Sequence, residues 1–319
     1  MDRRRFFTAA GTSAALIGLG AERALADERT STAAHFDAAT VQSIRARIRP
    51  IAPDELLARQ EQARRLMKDN GIDAIFVEGG TALAYFTGLH WWLSERMFAM
   101  VLPQRGEPFF ISPKFEEGRA REKLGSAAKV YTWEEHEKPI ERVRQGMQDH
   151  GLLSGTLGVE ETTRYYAIEQ LQQRLPTVKL RSATPVTAGC RSVKSPHEIE
   201  LMQVANDITA HVYRQVQRML REGMGEKELG ATIEALYGEF GVQGDALVLF
   251  GEASAYPHGL TRDVQLKPGD SVLIDGGCKV EGYGSDITRT MVLGEPSAKM
   301  KSVWEIVRGA QDAALKAAR

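Results

Sequence analysis

Cysteine is scarce in this chain: Cys190 and Cys278 are the two it has, so a disulfide framework is excluded. Neither sign of charge dominates, because 41 Lys plus Arg stand against 42 Asp plus Glu. The general basic excess of a nucleic-acid binder is therefore missing, and no nucleic-acid partner is expected. No internal repeat or low-complexity tract interrupts the sequence. Long apolar runs are absent as well, so no stable membrane span is expected. What is present is ordinary globular usage, 43% hydrophobic and 26% charged residues, which excludes wholesale disorder. At 319 residues the chain is long enough for about two domains, each with a sizeable core.

Residues 1–26 read as an address. Arg3-Arg4-Arg5-Phe6-Phe7 is followed by the Ala, Gly and Leu-rich stretch Ala9 to Gly20 and then by Ala24-Leu25-Ala26. That order is a charged region, a short apolar region and an A-x-A cleavage site. The paired arginines and the mildness of the apolar region resemble a twin-arginine export signal, which implies a periplasmic or secreted protein cleaved after Ala26. Glu22 and Arg23 interrupt the apolar run before it reaches the roughly 20 residues a bilayer needs.

Asp27 to Pro53 is polar and is read as an arm or short helix without chemistry. From Asp54 apolar residues recur at helical spacing up to Gly71, which stands where a C-terminal cap would. Short apolar runs at Ala74–Val77, Phe98–Leu102 and Phe109–Ile111 read as buried strands. Helices expected at Phe115–Leu124, Pro139–His150 and Tyr165–Leu175 alternate with strands at Thr156–Val159 and Val178–Leu180, an α/β pattern. Ser195-Pro196-His197-Glu198 carries the signature of a capping box. A long helix is expected from there, with a stripe at Ile199, Met202, Ala205, Ile208, Val212, Val216 and Met219. A second helix follows at Glu226–Phe240. These patterns place one domain at residues 54–190 and another at 191–319.

Chemistry is expected where an apolar strand, Ser271–Ile274, delivers Asp275 to Gly276-Gly277, and where the next strand brings Asp286 at the head of Ile287-Thr288-Arg289-Thr290. Lys279 to Gly284 between them supplies a hairpin turn. With the turn centred between Val280 and Glu281, the two aspartates become cross-strand partners on one face. Like charges so placed repel, and a divalent cation with oxygen ligands is the natural compensation. Asp beside Gly is also common in turns, so spacing alone leaves the assignment open. His197 and His211 read as surface or packing residues, Glu95-Arg96 as a structural pair and Cys278 as a buried thiol. Trp91-Trp92 reads as core, with a pocket wall as the alternative.

The stretches Ile274-Asp275-Gly276-Gly277 and Gly284-Ser285-Asp286-Ile287-Thr288-Arg289-Thr290 resemble the first two ligand motifs of the M24 metallopeptidases, the methionine aminopeptidase, Xaa-Pro aminopeptidase and creatinase superfamily. Arg191-Ser192-Val193-Lys194-Ser195, with Glu198 and Glu200, is similar to the opening of that family's catalytic domain. Gly71-Ile72-Asp73-Ala74 and Ala84-Tyr85-Phe86-Thr87-Gly88 are similar to its creatinase-type N-terminal domain. The resemblance implies an α/β creatinase-type domain followed by an α+β pita-bread domain. It also implies two divalent ions (Mn, Co, Zn or Fe) sharing a hydroxide, with Asp275 on one ion and Asp286 bridging both. Tyr256-Pro257-His258-Gly259 resembles the family's Pro-His segment, which implies a catalytic role for His258 beside the metals.

The family's other ligands, a His and two Glu, lie beyond another long helix, expected here as Ser297–Arg319 with Met300, Val303, Trp304 and Val307 on one face. The resemblance therefore implies an incomplete pita-bread domain, a homo-oligomer when complete, and a chain that binds at most one metal weakly and leaves Xaa-Pro peptides uncleaved. The expected function is that of an exported Xaa-Pro aminopeptidase acting on a peptide. The alternatives are a creatinase-like amidinohydrolase or lyase acting on a small molecule, or a ligand-stripped binding module.

Overall fold

The computed structural model describes residues 35–318, so the expected export signal lies outside the described residues. The chain forms two compact units, one of residues 49–200 and one joining the described residues up to Ile48 with residues 201–318.

The expected polar arm contains helix α1 (Ala38–Arg45), capped by the Asp37 carboxylate, which accepts the Thr40 N–H at 2.9 Å. Arg47 just beyond it pairs with Asp207 at 2.7 Å, and Phe36 packs on Phe240, which explains why this segment groups with residues past 200.

In the unit of residues 49–200, α2 (Pro53–Asn70) has Pro53 in its first turn and stops at Gly71. Gly71 takes the left-handed conformation at φ 62°, and the Ile72 N–H returns to Met67 O at 2.9 Å, closing the end as a Schellman motif does. There follow β1 (Ala74–Glu78), α3 (Thr81–Thr87), β2 (Ala99–Pro103), β3 (Phe109–Pro113), α4 (Glu117–Leu124), β4 (Lys129–Trp133), α5 (Pro139–Asp149), β5 (Gly155–Val159), α6 (Tyr165–Arg174), β6 (Val178–Ser182) and α7 (Thr184–Ser192). The strands make one mixed sheet in the order β4-β3-β2-β1-β5-β6. β1 is central and buried along its whole length. Its side chains alternate: Ile75 and Val77 join Met67, Phe86 and Val186 on one side, while Ala74 and Phe76 join Val143 and Leu171 on the other. Helices thus cover both faces, the architecture that all-apolar strands require.

Helix α7 occupies the stretch at which composition placed the domain boundary. Ala183, Val186 and Cys190 bury in the core of this unit, so the chain leaves it later, at the start of the next helix. Trp91 is core, stacked on Phe98 at 4.0 Å with the Arg119 guanidinium 4.5 Å from its ring, whereas Trp92 is exposed. Arg96 bonds both Glu95 and Glu135, as a structural pair would. His197 is a structural link as well, its Nδ1 lying 2.8 Å from the Glu55 carboxylate.

The other unit is built on α8 (Pro196–Met219), α9 (Glu226–Glu239), β7 (Gln243–Phe250), β8 (Ser271–Val280), β9 (Tyr283–Gly284), β10 (Ile287–Val292) and α10 (Ala298–Ala317). The capping box forms: Glu198 N–H donates to Ser195 Oγ at 3.2 Å and Ser195 N–H to the Glu198 carboxylate at 2.6 Å. The buried stripe of α8 is Leu201, Val204, Ala205, Ile208, Val212, Tyr213 and Val216. Ile199, expected in it, is exposed because it lies on the opposite side of the first turn. The sheet runs β10-β8-β7, antiparallel throughout, with β9 also paired to β8. One face is apolar and buried through Val248, Phe250, Val272, Ile274, Cys278 and Val280. The other face is open. α10 forms as expected, capped by Ser297, but Val303, Trp304 and Val307 on its apolar side are exposed among the described residues.

Candidate metal centre

The hairpin that carries the two aspartates is set by its turn. Glu281 and Gly282 both have positive φ, 50° and 86°, and Val280 pairs with Tyr283 across them, a two-residue connection of the primed kind. Its centre lies one residue later than the sequence suggested, so the pairing slips by two. Asp275 faces Thr288, not Asp286. The expected direct opposition of the aspartates is thereby corrected, because Glu281 accepts a left-handed conformation that composition does not announce. A slip of two preserves the face, since side chains alternate with period two. Continuing the ladder from Ser285, which is bonded to Cys278, sets Asp286 beside Gly277, diagonal to Asp275 on the open face.

The glycines after Asp275 are required by close approach. A Cβ on Gly277 would fall 2.1 Å from Ser285 O, and one on Gly276 would fall 2.3 Å from Asp245 O. These two close approaches to β8 therefore require glycine at both positions. Ser285 then replaces a ladder acceptor: its Oγ accepts the Cys278 N–H at 2.9 Å and lies 2.7 Å from Thr209 Oγ1 of α8. Thr209 in turn accepts the Tyr237 hydroxyl at 3.3 Å. The residue before Asp286 is thus anchored from beneath the sheet. Burial pushes the Tyr237 phenol up to about 12. Tyr213 is pushed up too, by burial first, then by Tyr237 and by the charges of Asp275 and Asp286. Cys278 faces the buried side with its thiol raised by burial, so it is no partner of the aspartates.

On the open face the Thr288 hydroxyl donates to Asp275 Oδ1, and Asp286 is exposed. A depression of about 280 Å³ begins at Asp275 and Thr288, has Leu247, Leu249 and Leu273 in its apolar floor, and is walled by Tyr256 and Pro257. Tyr256 to Gly259 is a turn closed by the Gly259 N–H to Tyr256 O bond at 3.1 Å, with Pro257 and His258 at its centre. Gly259, at φ 73°, sits where a Cβ would meet Leu249 at 2.4 Å, so the turn folds down onto β7. The structure therefore brings Asp275 together with Tyr256 and Pro257. His258 is next along the same turn and exposed. His211 lies apart, its Nδ1 2.8 Å from Asp207 O.

The donors on this face suit a hard divalent cation: carboxylate oxygens open to solvent, one oriented by a hydroxyl. Among the described residues no three His, Cys, Asp or Glu side chains converge, so Asp275 and Asp286 fit such an ion as part of a coordination set. Thr288 and Ser285 were within the sequence motif but carried no assigned role. The two-residue period from Asp286 to Thr288 was the signal that places the hydroxyl on the carboxylates' face.

Residues 200–319 match the profile of metallopeptidase family M24, and residues 59–193 that of the creatinase/prolidase N-terminal domain. The Bacillus subtilis relative YkvY is 31% identical over 265 residues, which are 82% of this chain and 73% of YkvY. The chain belongs to metallopeptidase family M24. A relative named Xaa-Pro dipeptidase, from Pyrococcus furiosus, is 28% identical over 82% of this chain and 72% of its own length. An uncharacterised peptidase of Schizosaccharomyces pombe is 32% identical, and the chain spans 61% of that protein's length. Among solved structures, recombinant prolidase from Thermococcus sibiricus matches with a TM-score of 0.72 at 28% identity, covering 80% of this chain and 70% of that one. A Pyrococcus horikoshii dipeptidase gives 0.71 at 27%, covering 82% and 72%. The mixed sheet with its covering helices falls within the creatinase/prolidase N-terminal match, and the antiparallel sheet that follows within the M24 match.

Proposed function

We propose that this M24 protein is a metal-dependent peptidase acting at Xaa-Pro bonds. The observation that carries the reading is the placement of Asp275 and Asp286 on one open face of the β8–β10 hairpin, beside an apolar depression. Asp275 would hold one divalent ion and Asp286 would bridge two; when bound, such ions supply an activated nucleophile and polarise the scissile carbonyl. The protein's own groups do the rest. Thr288 orients the Asp275 carboxylate through its hydroxyl, and the Thr209–Ser285 contact fixes the backbone that presents Asp286. Leu247, Leu249 and Leu273 offer an apolar surface to a substrate side chain, while Tyr256 and Pro257 limit its width. His258, on the turn above, would bind substrate or move a proton. Xaa-Pro dipeptidase relatives favour a short peptide with proline after the scissile bond.

Export through the twin-arginine route belongs to the same proposal and is supported by Arg3-Arg4 ahead of Ala24-Leu25-Ala26. The experiment that tests the chemistry is an Xaa-Pro dipeptide assay with added Mn²⁺ and with chelator. Any hydrolysis must need the cation and vanish in Asp275→Asn; hydrolysis that persists under chelation contradicts the proposal.

A further inference from the structure

The geometry points to Glu226 as a positioning residue: its carboxylate holds together the two ends of the loop that carries Tyr256, Pro257 and His258. The inference rests on the reading of that loop as part of the peptidase site. Glu226 is the first residue of α9, a position where an acidic side chain ordinarily turns to solvent, yet here it is about nine-tenths buried. Its Oε1 accepts the Phe250 N–H at 2.8 Å, and its Oε2 accepts the Val264 N–H at 3.2 Å. Phe250 ends β7 and Val264 follows the loop, so one carboxylate closes a segment of thirteen residues at both ends.

The surrounding backbone completes the closure. Glu226 N–H donates to Val264 O at 3.2 Å, Leu266 N–H donates to Met224 O at 2.9 Å, and Lys227 N–H donates to the Asp263 carboxylate at 3.2 Å. Above this base the loop is tied by the buried Ala253, by Gly259 against Leu249 and by a few hydrogen bonds. Ser254 bonds Gly251 O and Ser271, and the Arg262–Glu252 pair is exposed and 3.9 Å long. The height of His258 above the open face is set by these contacts together with the base, where Glu226 holds both ends of the loop. A carboxylate suits the task because it has two acceptor oxygens and no donor, whereas an amide would set an NH₂ group against one of the two N–H groups.

The test is hydrogen exchange on the purified chain, comparing wild type with Glu226→Gln. Exchange across residues 250–264 is expected to rise by about tenfold, the scale set by losing one charge-assisted bond, while residues 201–216 of α8 stay as in wild type. The His258 ring resonance, assigned by its loss in His258→Gln, is expected to broaden or move. Glu228→Gln, in the same helical turn but exposed, is expected to change neither. If the Gln variant does not fold, Glu226→Asp, which keeps the charge and reaches only one of the two N–H groups, is read by the same criteria. Unchanged exchange in 250–264, or an equal rise in α8, would overturn the assignment. Xaa-Pro hydrolysis or Mn²⁺ binding indifferent to Asp275 would overturn the functional reading without altering the exchange pattern, so the two failures are distinguishable.

Discussion

Asp275 and Asp286 differ in how they are held. Asp275 lies within a continuous ladder and receives the Thr288 hydroxyl, whereas Asp286 depends on the short segment around Ser285. Thr209→Val should release Ser285 from α8 and leave the Tyr237 hydroxyl without its acceptor. The expected cost is about 1–3 kcal/mol, read as a lower midpoint in urea unfolding, together with weaker Mn²⁺ binding. Because Asp286 is the carboxylate proposed to bridge, Asp286→Asn should lower metal content by elemental analysis at least as far as Asp275→Asn. Full metal occupancy in both would remove that assignment. A pH effect belongs to Asp207: burial alone would raise its carboxyl, but Arg47 and Gln203 outweigh burial and hold it below the ordinary 3.8. With the folded value depressed, the unfolded chain binds the proton more readily. The contribution is therefore full above the ordinary value and is lost as pH falls through the folded one. Arg47→Met should flatten the loss of thermal stability below about pH 4, measured by circular dichroism across pH.

At the scale of elements, the hairpin is governed by its turn and by its close approaches. Gly282→Val should destabilise by about 1–2 kcal/mol, because a β-branched residue resists φ 86°. Gly277→Ala should do worse, since its Cβ would fall on Ser285 O and push the Asp286 segment outward, reducing Mn²⁺ affinity as well as stability. Helix ends were legible in the sequence wherever a local signal decides them, as at Gly71 and at Ser195 with Glu198. So were the strands whose apolar runs are bounded by Gly, Pro or charge. The register of the β8–β10 hairpin was not, because Glu281 carries no mark of positive φ; parity still kept both aspartates on one face. α7 escaped notice because Thr184 to Ser192 is short and mixed in polarity, and its place is fixed by burial of Val186 and Cys190 in the core around β1. Glu226 was readable as the start of a helix, but its partners lie 24 and 38 residues away, and nothing local announces a contact across that separation.

At the scale of the molecule, each unit buries apolar residues of its own, Val77 and Phe86 among them in one and Ile208 and Phe250 in the other, and no helix among the described residues is long and apolar enough to cross a membrane. The proposed export is a separate matter, resting on residues outside the described part. Changing Arg3 and Arg4 to Lys should retain precursor in the cytoplasm, checked by fractionation, and normal export of that variant would overturn the twin-arginine reading. The open face of the β7–β10 sheet and the exposed side of α10 give this protein apolar surface at Leu247, Val303, Trp304 and Val307. Such surface favours association of the chain with itself at high concentration. The most direct measurement is calorimetric titration of the purified chain with Mn²⁺, in wild type, Asp275→Asn, Asp286→Asn and the double variant. The account predicts Mn²⁺ binding that is reduced in each single variant and abolished in the double. Wild type that binds no ion, or a double variant that binds as wild type does, would contradict it.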